Sequence, residues 1–252
     1  MAAGNGVNAE RLSRLFDVLE LLVGHPAGMS VTEISKRLEL PISSAHNLLQ
    51  RLVAAEVIVA SEGPRYSVGT RLVRLAIRTV DGLEISVIAR KYLHDLARDI
   101  GDDVYLAVRL GKRVVYVVRV PGTRPVTVDI RLGQSLFLHA TSVGKLFAAY
   151  NEQLCRSMLA GPLPKLTEHT LTEIGELQGE LERVRQEGFA VSREEAIVGI
   201  VGVALPVLDA KGELAAAVHV SALRAQMDDE RLVGVIDATR ASARAIEKEL
   251  GR

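Results

Sequence analysis

The chain has 252 residues, of which 48% are hydrophobic and 25% charged, and its 31 basic residues balance 31 acidic ones. This length and composition suit one large or two ordinary soluble domains, and no apolar run approaches the roughly 20 residues of a membrane span. Cys155 is the only cysteine, which excludes an internal disulfide and a cysteine-rich metal site. Because the N-terminus lacks the apolar segment of a signal peptide, the expected location is cytoplasmic, without a membrane partner.

The first predicted helix covers residues 10–23, where apolar side chains recur at helical spacing. Its expected inward stripe is Leu12, Leu15, Phe16, Leu19, Leu22 and Val23. Residues 1–80 hold nine basic and seven acidic residues, a balance too even to indicate nucleic acid. A nucleic-acid interpretation therefore depends on where individual side chains fall.

Residues 30–56 are typical of a helix-turn-helix. Ser30 and Glu33 have the spacing of a capping box, and Pro41 separates a first short helix from a second. The second helix has one apolar face and one polar face that carries no acid before Glu56. Because phosphates repel carboxylates and base edges offer donors and acceptors, this face predicts a recognition helix in the major groove of double-stranded DNA.

The expected DNA contacts are polar side chains of this module. They are Thr32, Ser43, Ser44, His46, Asn47, Gln50, Arg51 and Arg65. Ser43, Ser44 and Asn47 are the expected base readers, and Asn47 suits a bidentate pair with adenine. His46 either reads a base or packs beneath the turn, and packing is the preferred alternative.

Two short β-rich runs follow, at residues 57–60 and 65–68, around a Gly-Pro turn. After a helix-turn-helix they predict the hairpin of a winged helix, with Arg65 at its tip. The alternative is a plain surface hairpin with a solvated arginine. The next predicted helix begins at residues 69–70 and ends before Asp81.

This next helix is expected to turn four apolar side chains inward and to carry arginines on a neighbouring stripe. The inward residues are Leu72, Leu75, Ala76 and Val80, and the stripe is Arg71, Arg74 and Arg78. The arginines either steer phosphates or form a solvated face. We predict a winged domain at residues 1–69, a linker helix at 70–82 and a further domain at 83–252.

The remaining residues predict an α+β domain with a largely antiparallel sheet. Its helices are expected at 83–100, closed by Gly101, at 170–188, capped by Thr170 and Glu173, and from Asp228 onward. Its strands are expected at 104–109, 114–120, 200–207 and 214–220, with a third strand of the series containing Val126, Val128 and Ile130.

Three places in this domain suit a ligand. At residues 138–145 a loop enters a helix, whose first amides attract a carboxylate or phosphate, although an ordinary Thr/Ser cap is the preferred explanation of this segment on its own. Gly199 and Gly202 begin a strand, where glycine often allows the close approach of a ligand. His219 and Ser221 interrupt an apolar strand on one face, although a lone strand histidine is more often a hydrogen-bonded core residue than a ligand contact.

Signals for an enzyme are weak. The histidines are scattered without metal-ligand spacing, and neither a nucleophile elbow nor a dinucleotide fingerprint occurs. Glu194 and Glu195 are adjacent, which would place them on opposite faces of a strand, and Ser142 fits a helix cap better than a nucleophile. No catalytic residue, cofactor or metal ligand is therefore expected.

The assembled residues resemble the IclR family of bacterial transcriptional regulators. The resemblance runs from about residue 10 to 251 and is carried by LPISSAHNLLQRL, IRLGQSLFLHATSVGKLFAAY and GFAVSREEAIVGIVGVALPVLDAKGELAAAVHVSAL. It implies a winged helix-turn-helix, a linker helix and a GAF-like effector-binding domain. It also implies dimers or dimers of dimers on palindromic operators, and small effectors that are often carboxylates or aromatic acids.

In the family the effector pocket lies between the loop before the "GK" helix, the strand after E-E and the final strand. Carried onto this sequence, the implied effector-binding residues are Ser142, Val143, Ser192, Ile200, Gly202, His219 and Ser221. This chain departs from the family pattern at Ile42 and Asn47 in the recognition helix. In the pocket it departs at Ser192, Gly202 and His219, which make the pocket roomier and less acidic.

The sequence therefore predicts a DNA-binding regulator, expected to be a repressor, that a small-molecule effector controls. The first alternative is an enzyme or ligand sensor whose N-terminal module serves dimerisation only. The second is a metal sensor in which His139 and His219 converge.

Overall fold

The computed structural model describes residues 3–60, 63, 65–126, 128 and 130–251. The chain divides into two compact units, Met1–Gly82 and Leu83–Arg252. In both units helices accompany an antiparallel sheet, which confirms the predicted α+β class. Among the described residues, no helix combines the length and the apolar character that a membrane crossing needs.

The first unit is a helix-turn-helix with a small sheet. Its elements are α1 (Ala3–Val23), β1 (Met29–Ser30), α2 (Val31–Arg37), α3 (Ile42–Ala54), β2 (Ile58–Ala60), β3 (Arg65–Val68) and α4 (Thr70–Asp81). The antiparallel sheet has the order β1-β3-β2, so the predicted wing hairpin is present as β2 and β3. The turn residues Ser61, Glu62 and Pro64 lie outside the described residues.

The predicted capping box begins α2. The Ser30 amide donates to Glu33 Oε2 at 2.7 Å, and the Glu33 amide donates to Ser30 Oγ at 3.3 Å. Helix α3 begins directly after Pro41 and buries Leu49 and Leu52 in the core of the unit. These local signals explain why the two helices begin where the sequence predicts.

The predicted inward stripe of α1 is partly wrong. Leu19 and Leu22 are buried, but Leu12 is 60% exposed and Phe16 61% exposed. The buried face includes Val18 instead, because a core this small covers only a narrow stripe of the helix. Val23 is exposed as well.

The inward face predicted for α4 is wrong for Leu75 and Ala76, which are both exposed. Leu72 and Val80 are half-buried, and Leu72 packs against the core of the unit. Helix α4 therefore packs on the unit by its first turn, and most of its apolar side chains face outward.

The second unit contains the larger sheet. Its elements are α5 (Glu84–Ile100), β4 (Asp103–Leu110), β5 (Arg113–Val120), α6 (Ser142–Tyr150), α7 (Glu152–Leu159), α8 (Ile174–Glu187), β6 (Ala190–Arg193), β7 (Ile200–Leu208), β8 (Leu214–Leu223), a 3-10 turn (Arg224–Gln226) and α9 (Asp229–Glu249). Gly101 and Gly188 end α5 and α8 in the left-handed conformation, as predicted.

The five strands form one antiparallel sheet with the order β5-β4-β8-β7-β6. Helices α5 and α9 cover one face, over a core rich in valine and leucine. Helices α6, α7 and α8 cover the other face, over a core that includes Tyr105, Tyr116 and Phe147. This second face ends in small and polar residues, and the candidate site lies there.

The third strand predicted from Val126, Val128 and Ile130 is wrong. None of these three residues belongs to a strand, and the intervening Thr127 and Asp129 lie outside the described residues.

The backbone amides of this segment donate to side chains of β4 rather than to the backbone of a neighbouring strand. The Val128 amide donates to Asp103 Oδ2 at 2.6 Å, and the Ile130 amide donates to the Tyr105 hydroxyl at 3.1 Å. The Tyr105 hydroxyl in turn donates to the Val128 carbonyl. Val128 and Ile130 are therefore half-buried without pairing to a strand, whereas Val126 is 58% exposed, so the alternating pattern imitates a strand that does not form.

The predicted cap of α8 is also wrong. Glu173 occupies the N-cap position without a side-chain hydrogen bond. Thr170 Oγ1 instead accepts from the amides of Leu166 and Thr167, at 3.0 and 2.9 Å, and donates to the Glu195 carbonyl at 2.6 Å. The Thr-x-x-Glu pattern here stabilises a loop that precedes the helix.

Candidate DNA-reading face and effector cavity

The outward face of α3 is polar and free of acids in its first turn. Its exposed polar residues are Ser43, Ser44, His46, Asn47, Gln50 and Arg51. His46 is exposed, so the preference for packing beneath the turn is wrong: Ala45 and Leu49 take the buried positions. The helix therefore presents donors and acceptors without a carboxylate, as major-groove contact requires.

The two other predicted DNA contacts lie on neighbouring elements. Thr32 is exposed in the first turn of α2. Arg65 begins β3, and its Nη2 donates to the Gly28 carbonyl at 2.8 Å and lies 3.6 Å from Glu33 Oε2. Because its side chain is 46% exposed, part of the guanidinium remains accessible.

In the second unit, a cavity of about 370 Å³ opens at the end of the sheet face that α6 covers. Its floor is a row of small residues paired across the strands. Ser192 pairs with Gly202, and Gly202 pairs with Ser221. His219 faces the same side as Ser221, because alternate residues of a strand share a face.

The walls of the cavity are mostly apolar. The apolar residues that line it are Ile130, Leu136, Phe137, Leu166, Ala196, Ile197 and Ile200, together with Gly202. The polar residues that line it are Tyr116, Gln134, Ser135, Thr141, Ser192, His219 and Ser221. An apolar lining with a few convergent polar groups is typical of small-molecule sites.

The structure brings five of the seven predicted effector residues to this cavity, namely Ser192, Ile200, Gly202, His219 and Ser221. Ser142 and Val143 are fully buried beside it and do not line it. Sequence reasoning assigned no cavity residue to β5 or to the irregular segment at 130–137, although this second segment begins the family-like stretch IRLGQSLFLHATSVGKLFAAY. Tyr116 could not be predicted as a cavity residue, because in the sequence it is an ordinary member of a strand pattern.

Gly202 lets three polar side chains meet. A Cβ at this position would lie 2.8 Å from His219 Cε1 and 2.9 Å from both Ser142 Oγ and Ser192 Oγ. Contacts that short do not occur between unstrained atoms, so any side chain here displaces its neighbours. The glycine is therefore required by close approach rather than by backbone conformation.

His219 is one of the three side chains that meet at Gly202, and its imidazole is neutral. Burial lowers its pKa to about 3, against an opposing hydrogen bond with the Val203 backbone. Its Nδ1 lies 3.2 Å from Ser142 Oγ, and its ring centroid lies 5.2 Å from that of Tyr116. Burial also raises the pKa of the Tyr116 phenol well above its ordinary value, so both groups are uncharged at neutral pH.

The hydroxyl of Ser221 stands out among the polar groups of the cavity. Ser221 is 2% exposed, and its Oγ has no hydrogen-bond partner among the described residues. A buried hydroxyl without a partner is costly, and a ligand in the cavity would supply one.

The first turn of α6, where the sequence offered either a helix cap or an anion site, is capped by the protein itself. Thr141 Oγ1 accepts from the Gly144 amide at 3.0 Å. A Cβ on Gly144 would lie 2.5 Å from Leu138 Cα and 2.6 Å from the Phe137 carbonyl oxygen, so the preceding backbone lies directly on the helix. The cap belongs to Thr141 rather than to Ser142.

Next to Gly144, Lys145 forms a buried ion cluster. Its Nζ donates to Glu195 Oε1 at 2.8 Å, to Glu180 Oε1 at 2.9 Å and to the Val191 carbonyl at 2.7 Å. Burial raises the pKa of Glu195 despite Lys145, whereas Lys145 and Arg183 hold the pKa of Glu180 below its ordinary value despite burial. The cluster joins α6, α8 and the chain that follows β6.

Other chemistry-bearing residues are engaged in structural bonds. His139 Nε2 donates to the Pro164 carbonyl at 3.0 Å. Glu194 and Glu195 lie beyond the end of β6, where Glu194 Oε1 accepts from the Gly199 amide at 2.8 Å. Over the part of the chain that the structure describes, no group of three His, Cys, Asp or Glu side chains is arranged to hold a metal ion.

Comparison with known families finds matches over both units. A model described as "Bacterial transcriptional regulator IclR C-terminal" matches residues 77–248. A second model, "IclR helix-turn-helix domain", matches residues 11–60. The first of these alone spans more than half of the chain.

Individual proteins match along almost their full length. The HTH-type transcriptional repressor AllR of Escherichia coli (strain K12) is 28% identical over 246 residues, which cover 96% of this chain and 91% of AllR. The crystal structure of IclR from Thermotoga maritima has a TM-score of 0.83 at 28% identity and covers 97% of this chain and 100% of that chain. An IclR homologue from Microbacterium hydrocarbonoxydans, solved in complex with 4-hydroxybenzoate, has a TM-score of 0.83 at 23% identity and covers 95% and 98%.

Proposed function

The chain belongs to the IclR family of bacterial transcriptional regulators, and on this basis we propose that it is a repressor that leaves its operator when a small organic effector fills the cavity. The observation that carries the proposal is the exposed, acid-free polar face of α3. One of its relatives, AllR, is a repressor, which supports repression rather than activation. Fluorescence anisotropy on the DNA upstream of the protein's own gene tests it.

Base reading is assigned to Ser43, Ser44 and Asn47 on α3. All three are exposed near the N-terminal end of the helix, the part that contacts base edges in related modules. Arg51 and Arg65 contribute phosphate contacts, which fix the position of the helix without reading sequence.

The change Asn47→Ala should weaken operator binding by about 1–3 kcal/mol and relax the preference at one base pair, because a bidentate pair with adenine is lost. Titration of labelled operator and of single-base variants, at fixed salt, measures both effects.

Arg51→Ala is the matched comparison on the same helix. It should weaken operator and scrambled DNA alike and flatten the salt dependence of binding, because a phosphate contact releases counterions whatever the sequence. An equal loss on both DNAs for Asn47→Ala would show that Asn47 contacts only the backbone.

The effector site is the cavity of the second unit, and its occupant is a small amphipathic molecule. The apolar walls suit an aromatic or aliphatic body, and the serines and His219 converge on one end of the cavity. A carboxylate or aromatic acid remains the expectation from the family resemblance, and a neighbouring structure holds 4-hydroxybenzoate.

Gly202→Ala should destabilise the second unit by about 1–3 kcal/mol and abolish the effector response, because the added methyl group must displace His219, Ser142 or Ser192. Urea unfolding and operator release by a small-molecule extract measure the two effects.

Gly179→Ala is its matched control. Gly179 is exposed in α8 with nothing within 4 Å of the place that an added methyl group would take, so alanine should stabilise the helix by about 0.5–1 kcal/mol and leave the response intact. A normal response in Gly202→Ala would exclude the polar end of the cavity as the effector site.

The regulator acts as a homodimer, or as a dimer of dimers, on a palindromic operator. Exposed apolar side chains on α1 and α4 support a second copy at the first unit: Leu12, Phe16, Val73 and Ile77. Residues 1–69 form the DNA-binding domain, 70–82 the linker helix and 83–252 the effector domain. A coupling free energy of about 1–3 kcal/mol between effector and DNA would change operator affinity roughly 5- to 150-fold.

A hydrolase that uses Ser142 and His219 is the rival function, since the pair lies at nucleophile–base distance, 3.2 Å. A base whose pKa is about 3 is poorly matched to proton abstraction at neutral pH, which argues against this rival. Turnover of an ester substrate together with absent salt-dependent DNA affinity would favour the rival.

A further inference from the structure

The cavity of the second unit offers a ligand no positive charge. Among the described residues that line it, none is lysine, arginine, aspartate or glutamate. The titratable lining residues, Tyr116 and His219, are both kept neutral by burial. The same burial penalises the charge of a bound carboxylate.

Two sources of positive potential near the cavity are already used by the protein. The first turn of α6 is capped by Thr141 and covered by the backbone at Phe137 and Leu138. Lys145 directs its ammonium group at Glu180, Glu195 and a carbonyl, and does not reach the cavity lining. Neither can neutralise an acid bound on the sheet.

The polar floor of the cavity favours an uncharged group. The Ser221 hydroxyl is buried, has no partner among the described residues and can donate or accept. In register beside Ser221 on β4 lies Asp103, whose carboxylate is already engaged: it accepts from the Gly122 and Val128 amides and lies 3.6 Å from a guanidinium nitrogen of Arg119. A neutral group with both a donor and an acceptor satisfies Ser221 without the cost of burying a charge.

On the basis of the effector role proposed for this cavity, we propose that the effector carries an uncharged polar head, such as a carboxamide or hydroxyl, that hydrogen-bonds to Ser221. Its apolar or aromatic body lies against Tyr116 and Ile200. This differs from the carboxylate head expected from the sequence, and the two alternatives predict opposite preferences between an acid and its amide.

The test compares matched acid and amide probes on the full-length protein at pH 7.5. The pairs are 4-hydroxybenzoate with 4-hydroxybenzamide, phenylacetate with phenylacetamide, and nicotinate with nicotinamide. Thermal shift and calorimetric titration should show that at least one amide binds and that it binds roughly ten-fold or more tightly than its acid.

A pair of serine variants tests the contact itself. Ser221→Ala should weaken the amide roughly three- to ten-fold while leaving the acid unaffected, because it removes the buried hydrogen-bond partner. Ser157→Ala is the control, since this serine is exposed on α7 and does not line the cavity.

If the acids bound as tightly as their amides or more tightly, the proposal of an uncharged head would be wrong, but the cavity would remain the proposed effector site. Failure of all six probes would also overturn it. The proposed function fails separately, if the small-molecule fraction of a bacterial extract does not change operator affinity.

Discussion

Replacing Lys145 by methionine should lower the free energy of unfolding of the second unit by about 3–5 kcal/mol, because two carboxylates and a carbonyl lose their shared buried partner. Lys145 is 1% exposed, and its four hydrogen bonds to Glu195, Glu180 and Val191 are all 3.0 Å or shorter. Urea unfolding of the full chain, followed by circular dichroism, measures the loss.

The deficit of Lys145→Met should shrink as the pH falls. Burial already raises the pKa of Glu195, and removal of the ammonium group raises it further. An acid whose pKa is raised in the folded state contributes stability below its unfolded pKa and loses that contribution as the pH rises through the folded value. The variant should therefore be closest to wild type at acidic pH.

Two variants show whether the effect belongs to the buried cluster. Lys165→Met removes a lysine that pairs with Glu168 at the surface, at 3.0 Å, and should change stability little. Adding Glu195→Gln to Lys145→Met should recover part of the loss, because one unpaired carboxylate becomes neutral. Equal losses for Lys145→Met and Lys165→Met would contradict the cluster's role.

Acidification from pH 7 to pH 5 should cost the wild-type protein about 2 kcal/mol of stability through His219 alone, and about 3 kcal/mol by pH 4. The folded pKa of His219 is about 3, below the ordinary value of 6.5. Its contribution is therefore complete above pH 6.5 and is lost as the pH falls toward 3, since the unfolded chain gains a proton that the folded chain excludes.

His219→Gln should flatten this pH dependence. Subtracting the free energy of unfolding of the variant from that of the wild type at each pH between 5 and 7 isolates the contribution of His219 from those of other groups. His94→Gln is the control, because His94 is exposed on α5. Parallel curves for wild type and His219→Gln would show that the imidazole can be protonated in place.

Local signals in the sequence predicted helix ends correctly where the residues that form the end are neighbours in the chain. The Ser30–Glu33 box and the glycine ends of α5 and α8 depend on neighbours within a turn, and all are present. The Thr170 cap failed because Thr170 bonds to the distant Glu195 carbonyl, a contact that no local pattern reveals.

The predicted strand containing Val128 and Ile130 failed for a related reason. Periodicity reports which side chains face the protein, but not whether a neighbouring backbone pairs with the segment. Here Asp103 and Tyr105 supply that pairing with side chains.

The site shows the same division between local and distant information. The family resemblance predicted the floor residues Ser192, Gly202 and Ser221, all of which line the cavity. Their alignment depends on strand register, which a single sequence does not display. The burial that keeps His219 neutral and the closure of the first turn of α6 are likewise tertiary effects.

The absence of a side chain at Gly144 lets the backbone of the cavity rim pack directly against the first turn of α6. With backbone atoms of Phe137 and Leu138 lying 2.5–2.6 Å from where a methyl group would stand, the rim cannot slide without carrying the helix along. Any displacement of Phe137 toward α6 therefore requires a matching movement of Gly144 and of the adjacent Lys145, whose ammonium group bonds to Glu180 on α8 and to Glu195.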